Sequence, residues 1–182
     1  MDVRFADLYM VDSARTLGFF ATCLGDVISD DTSAREGLTR GEFLYVSSIL
    51  AHYALVESGN PEYLPIPGTL RQLHDMFVTN VDTWQDPSLM ETAASQALML
   101  TGYFGGAMRA RHQLNTYVGW GRFFYDRAAR GHRGRKQELM STMGERFPWW
   151  RDRLERLHTE LWERPLRLDL PQPDPRGPFD AP

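Results

Sequence analysis

Hydrophobic residues recur along this chain at intervals of three and four, the spacing that places them on one side of an α-helix. In the first such stretch, from Phe5 to Leu24, the apolar positions are Leu8, Tyr9, Val11, Leu17, Phe19 and Phe20. No run alternates strictly between apolar and polar residues over the length of a strand. The pattern therefore predicts an all-α protein.

Local start and stop signals divide the chain into about six to seven helices. Residues 25–37 are polar and predict a loop, and Thr39 with Glu42 then matches a capping box that opens a helix from Thr39 to Ser58. Asp86 followed by Pro87 predicts another helix start, because Asp caps and Pro fits the first helical position. The remaining predicted helices cover Thr69 to Thr83, Pro87 to Phe104, Ala107 to Arg130, Lys136 to Arg146 and Pro148 to Glu163.

The C-terminal residues 164–182 contain six prolines. Proline lacks the amide hydrogen that an α-helix needs, so this segment is expected to be extended. We predict a single helical-bundle domain over residues 1–163, followed by a Pro-rich C-terminal arm over residues 164–182.

Composition and charge limit the class of protein. The only cysteine is Cys23, which excludes an internal disulfide and a cysteine-based zinc site. No secretory signal or membrane-spanning run is visible, so we expect a cytoplasmic protein. The net charge of −4 is uneven: residues 1–108 hold fourteen acidic and five basic side chains, whereas residues 109–182 hold ten acidic and fifteen basic ones. Such polarity favours self-association or a charged partner.

The stretch TGYFGGAMRARHQ raises the question of an anion site. Gly105 and Gly106 follow a helix and lack the spacing of a phosphate-binding loop, so the pattern favours a helix–helix elbow with glycine in the left-handed conformation. The minority alternative is a small-anion site formed by free amides with Arg109, Arg111 and His112.

Other polar residues in apolar surroundings are candidates for a ligand pocket between the central helices. His52 lies in an apolar helix, where an ordinary hydrogen-bonded core histidine is the main alternative to a ligand. The candidate lining residues are His52, Tyr53, Tyr103, Arg109, Arg111, His112, Tyr117 and Arg122. Glu155 and His158 form one ExxH pair, but di-iron helical bundles need two, so we assign this pair to a solvated face and predict no metal site.

The basic stretch from Arg109 to Lys136 also contains aromatic residues and suggests nucleic-acid binding. However, Leu114, Tyr117, Gly121, Phe124 and Ala128 fall on one helical stripe, as core residues do, and the chain is acidic overall, so we do not expect nucleic acid as a partner. Gly119 and Gly121 each cost about 1 kcal/mol relative to Ala in a helix. We expect close packing against another element to compensate, with a bound ligand as the alternative.

Residues 44–129 resemble a family of uncharacterised bacterial all-helical proteins. The resemblance rests on the triplet Gly102-Tyr103-Phe104, a short basic segment, and then Tyr117, Gly121-Arg122 and Tyr125 in a YxxxGRxxY pattern. Asn115 and Thr116 depart from the acidic and aromatic residues of that pattern, and Gly105-Gly106 replaces a Pro/Glu-like elbow. The resemblance implies a helical fold and no particular chemistry, because the family has no established activity.

No complete catalytic constellation is visible: the motifs GxSxG and SxxK are absent, and Cys23 has no His near it in sequence. Our leading hypothesis is a non-catalytic accessory protein that binds a protein partner, or a second copy as a homodimer, through helix faces rich in Trp, Tyr, Met and Arg. The alternative is a helical bundle that binds a small molecule, metal or haem in an internal pocket, with enzymatic activity left open. Nucleic-acid binding through Arg109–Lys136 is the third.

Overall fold

The computed structural model describes residues 13–29, 37–57, 86–110 and 114–163, and most of these residues are α-helical. The helices are α1 (Ser13–Ser29), α2 (Arg40–Glu57), α3 (Pro87–Thr101), α4 (Gly105–Ala110), α5 (Leu114–Gly131), α6 (Gly134–Glu145) and α7 (Phe147–Glu163). No strand occurs in these ranges, so the all-α prediction is confirmed. The predicted helix at Thr69 to Thr83, the arm at 164–182, Arg111 and His112 lie outside the described residues.

Both predicted capping signals are confirmed. The Thr39 amide donates a hydrogen bond to Glu42 Oε2 at 2.9 Å, and the Glu42 amide donates to Thr39 Oγ1 at 3.2 Å. Asp86 Oδ1 accepts from the amides of Ser88 and Leu89 at 2.8 and 3.4 Å. These bonds satisfy amides that the first helical turn leaves without partners.

The first helix is longer at its C-terminal end than the sequence pattern predicted. We assigned residues 25–37 to a loop, but α1 continues to Ser29. Val27 and Ile28 are buried with Leu24, the i, i+3, i+4 spacing of a helix face, and α1 packs on α2. Burial of these apolar side chains outweighs the helix-breaking tendency of Gly25, so the loop prediction is wrong for residues 25–29.

The glycine elbow also differs from the prediction. The turn after α3 is formed by residues 102–104, and Gly105 already begins α4. Within the described ranges only Gly37 and Gly134 have positive φ, so neither elbow glycine takes the left-handed conformation. Gly102 is needed for space instead: a Cβ there would lie 2.8 Å from Leu154 Cβ and 3.1 Å from a backbone oxygen of α7.

The core forms where α3 packs along α5 and α5 packs along α6, while α7 contacts α1, α3, α5 and α6. The small residues of α3, Ala93, Ala94 and Ala97, are buried and allow this close approach. Tyr117, Gly121, Phe124 and Ala128 of α5 are buried as predicted, and Arg122, Asp126 and Arg130 are exposed.

The two glycines in the middle of α5 have different surroundings. A Cβ on Gly121 would lie 2.2 Å from Phe147 Cζ, so close packing accounts for this glycine. A Cβ on Gly119 would meet nothing within 4 Å. Packing therefore explains one of the two glycines and leaves the other bordering open space.

None of the helices in the described part of the chain combines the length and the apolar character that crossing a bilayer requires.

Candidate functional site

A cleft of about 500 Å³ lies between α2 and α3, and the first turn of α6 contributes to its wall. We call it the α2–α3 cleft. Its lining residues are Tyr45, Ser48, Ile49, His52 and Tyr53 of α2, Ser88, Glu91, Thr92 and Ser95 of α3, and Lys136 of α6. Two of the predicted pocket residues, His52 and Tyr53, are therefore in one cavity.

Helical periodicity explains why these residues share the cleft. The α2 positions 45, 48, 49 and 52 have the spacing i, i+3, i+4 and i+7, which defines one helix face. The α3 positions 88, 91, 92 and 95 have the same spacing. Both helices thus present a stripe rich in hydroxyl groups to the cleft, whereas the opposite side of α3 is buried and mostly apolar.

Three of the four serine and threonine hydroxyl groups that line the cleft donate their hydrogens to helix carbonyl groups. Ser48 Oγ donates to the Tyr45 carbonyl at 2.7 Å, Thr92 Oγ1 to the Ser88 carbonyl at 3.0 Å, and Ser95 Oγ to the Glu91 carbonyl at 2.9 Å. Tyr45 Oη lies 3.1 Å from Ser95 Oγ. Since a serine has only one hydroxyl hydrogen, Tyr45 is the donor in that bond. The lone pairs of these oxygens remain as acceptors.

The charged end of the cleft is formed by Glu91 and Lys136. Lys136 Nζ lies 2.7 Å from Glu91 Oε2, and His132 Nε2 lies 3.5 Å from the same oxygen. The Glu91 side chain is 19% exposed, whereas the Lys136 side chain is 50% exposed. The carboxylate is thus held in the wall, and its lysine partner reaches it from solvent.

Three tyrosines on this side of the bundle are kept protonated by their surroundings. Burial raises the pKa of Tyr45. Burial also raises the pKa of Tyr53 and, further, that of Tyr125, whose ring centroid lies 6.3 Å from that of Tyr45. The Tyr53 and Tyr125 hydroxyl groups are shielded from solvent and make no hydrogen bond of normal geometry with any described residue. His52 packs against Tyr53 edge to face, with ring centroids 6.0 Å apart.

Tyr103 and Arg109 lie at the elbow rather than in the cleft. The Tyr103 ring packs against His158 with centroids 4.7 Å apart, and Arg109 forms an ion pair with Glu155. Glu155 and His158 are partly exposed, because the elbow covers part of the face that we assigned to solvent. No group of three or more His, Cys, Asp or Glu side chains in the described residues could hold a metal ion.

Tyr117 and Arg122 point to different sides of α5. Tyr117 is buried and packs against Trp120 with ring centroids 5.4 Å apart. Arg122 is exposed and lines a second cleft of about 380 Å³ between α5 and α6, together with Gly119, Asp126 and Glu145. The predicted pocket set is therefore divided between the α2–α3 cleft, the elbow and α5.

Sequence reasoning missed Glu91 and Lys136, and it missed the hydroxyl stripe of α3. A signal was present, because Ser88, Glu91, Thr92 and Ser95 form a polar stripe in a helix of mostly apolar residues. The pattern could not show that this stripe faces α2 and Lys136 of α6, because those helices are distant from α3 in sequence.

Comparison with known protein families, with curated proteins and with solved structures finds no match to this chain. Membership in the bacterial family that residues 44–129 resemble therefore stays a prediction.

Proposed function

We propose that this protein binds a small polar molecule in the α2–α3 cleft. The observation that carries the proposal is the convergence of polar side chains from three helices on one cavity of about 500 Å³. Ligand sites in proteins have volumes of roughly 300 to 1,000 Å³ and contain a few polar groups that orient the ligand.

The hydrogen bonding of the cleft supports this proposal. The oxygens of Ser48, Thr92 and Ser95 can accept hydrogen bonds from a bound molecule and would fix its orientation.

The alternative of protein binding through helix faces has less support from the described residues. Their large exposed apolar side chains, Phe19, Leu44, Phe104 and Phe123, belong to four different elements. Trp150 is fully buried in the core, so its ring is not available to a partner. Stable interfaces usually have a continuous apolar centre, which these scattered side chains do not form. We therefore favour ligand binding in the cleft over protein binding as the function.

The experiment is a ligand screen against the full chain, followed by two matched variants. Thr92 and Thr159 are both exposed threonines within helices, and the hydroxyl of each donates to the carbonyl four residues earlier. Thr92 lines the cleft, so Thr92→Trp fills it. Thr159 lines neither of the two clefts between described helices, so Thr159→Trp is the control.

A ligand at about 100 times its Kd stabilises a protein by about 2.7 kcal/mol, which raises the Tm of a chain of this length by roughly 5 to 10 °C. We expect such a ligand to stabilise the wild type and Thr159→Trp but not Thr92→Trp. A ligand that stabilises all three proteins equally binds elsewhere and overturns the proposal. Native mass spectrometry of the purified chain gives an independent test through any small molecule that stays bound.

A further inference from the structure

We propose that the ligand of the α2–α3 cleft carries a primary ammonium group, which binds Glu91 in place of the Lys136 side chain. This inference rests on the proposed function and specifies the class of ligand.

Several polar groups of the cleft wall can only accept hydrogen bonds from a ligand. The hydroxyl hydrogens of Ser48, Thr92 and Ser95 are committed to helix carbonyl groups, so each oxygen presents only lone pairs to the cavity. An ionised carboxylate also only accepts hydrogen bonds. For these three oxygens and the Glu91 carboxylate a ligand must therefore supply donors, and an ammonium group supplies three of them.

The Glu91 carboxylate is already paired with an ammonium group, that of Lys136. Lys136 Nζ lies 2.7 Å from Glu91 Oε2, the length of a charge-assisted hydrogen bond. Lys136 approaches from the first turn of α6 and is half exposed, so its ammonium can return to water at little cost. Glu91 cannot do the same, because its side chain is only 19% exposed.

When the Lys136 ammonium moves away, the negative charge of Glu91 needs another partner. Among the described residues that line the cleft, Glu91 is the only acidic one, and both of its ion-pair contacts are made by Oε2. A ligand ammonium that replaces Lys136 keeps this carboxylate paired, whereas a neutral ligand would leave it in the wall without a full countercharge. An anionic ligand would be repelled.

The volume indicates that the ligand is larger than a simple ammonium ion. The polar stripe of α3 extends from Ser88 to Ser95, about two helical turns. An amine with further hydroxyl or amino groups, such as an amino sugar or a polyamine, could donate to Glu91 at one end and to the hydroxyl oxygens along the stripe.

The experiment compares probes that differ mainly in charge: glucosamine and putrescine as amines, glucose as the neutral probe and glucuronate as the anion. Affinities for the full chain are measured by titration calorimetry, and Tm values confirm that every variant is folded. Lys136→Met removes the competing ammonium, and Glu91→Gln removes the carboxylate charge. Arg130→Met is the control, because Arg130 is an exposed cation paired with Asp126 and does not line the cleft.

We expect at least one amine to bind the wild type more tightly than glucose and glucuronate. Lys136→Met should raise the amine affinity about tenfold and Glu91→Gln should lower it about tenfold, the usual effect of one charge-assisted hydrogen bond. Arg130→Met should leave it unchanged. If Lys136→Met instead weakens amine binding, or if glucuronate binds best, the inference is wrong.

Failure of this inference can be distinguished from failure of the proposed function. If glucose or glucuronate binds and Thr92→Trp abolishes that binding, the cleft is a ligand site but its ligand is not an amine. If no probe shows binding that depends on Thr92, neither the amine ligand nor the binding function of the cleft is supported, and both are rejected.

Discussion

The substitution Gly121→Ala tests the closest contact in the described core. A Cβ at this position would lie 2.2 Å from Phe147 Cζ and 2.3 Å from Phe147 Cε2, whereas carbon atoms in contact are normally about 3.5 to 4.0 Å apart. Phe147 has no exposed surface, so its ring can move away only by displacing other core residues. Overpacking of this kind costs about 1 to 3 kcal/mol, and a clash this short belongs at or above the upper end.

The same substitution also brings a gain, because Ala favours a helix over Gly by about 1 kcal/mol. The expected net change is a loss of about 2 kcal/mol in the free energy of unfolding, or a fall in Tm of roughly 4 to 8 °C. Gly119→Ala is the matched control two residues earlier in α5. Its Cβ meets nothing within 4 Å, so only the gain of about 1 kcal/mol remains.

Urea unfolding followed by far-ultraviolet circular dichroism measures both variants, and equal m-values would show that only stability has changed. The expected difference between the two variants is about 3 kcal/mol, with Gly119→Ala the more stable. A result in which Gly121→Ala is as stable as Gly119→Ala would refute the close contact of α5 with Phe147. The double variant Gly121→Ala with Phe147→Leu should recover part of the loss, because the smaller side chain leaves room for the methyl group.

Three further predictions concern other contacts. Gly102→Ala should lower the free energy of unfolding by about 2 kcal/mol or more in the same urea assay, because its Cβ would meet Leu154 and backbone, whereas Gly105→Ala, with nothing within 4 Å, should not. Arg146→Ala should cost about 2 to 3 kcal/mol, since it leaves the buried Glu42 carboxylate without its ion pair, and equal stability of this variant and the wild type would contradict that role. In an alkaline titration of tyrosinate absorbance, the most shielded tyrosines should ionise only on unfolding, namely Tyr45, Tyr53 and Tyr125. Their folded pKa values are raised, so above about pH 10 each should lower the free energy of unfolding by about 1.4 kcal/mol per pH unit. Ionisation of all tyrosines near pH 10 while the protein is still folded would contradict this shielding.

The parts of the fold that were predicted correctly depend on local chemistry. The starts of α2 and α3 followed from Thr39, Glu42, Asp86 and Pro87, because capping involves residues within one helical turn. The buried stripe of α5 followed from its period. The end of α1 was missed because Gly25 predicts a helix end from the local sequence. The helix continues because Val27 and Ile28 are buried where α1 packs on α2, and the local sequence does not show that contact.

The elbow shows the same limit in another form. Adjacent glycines at positions 105 and 106 suggested a left-handed turn, yet the glycine that the structure requires is Gly102, where α7 passes within contact distance. The need for glycine at this position comes from a helix about fifty residues later in the chain. Periodicity cannot show it.

The candidate site was predicted only in part for a related reason. His52 and Tyr53 were identified because they are polar residues in an apolar helix, a feature that the sequence displays directly. Glu91 and Lys136 were missed because their pairing joins α3 to α6, and the carboxylate and the lysine each look ordinary in their own helix.

The carboxylate of Glu42 connects a local feature of the chain to a distant one. It closes the capping box at the start of α2, and its other oxygen accepts hydrogen bonds from Arg146 at 3.3 Å and from Trp150 Nε1 at 3.4 Å. Glu42 therefore links the first turn of α2 to the junction between α6 and α7, which lies more than a hundred residues later in the chain. Fraying at either place removes hydrogen bonds from the other, so these two segments should open together as one cooperative unit in native-state hydrogen exchange.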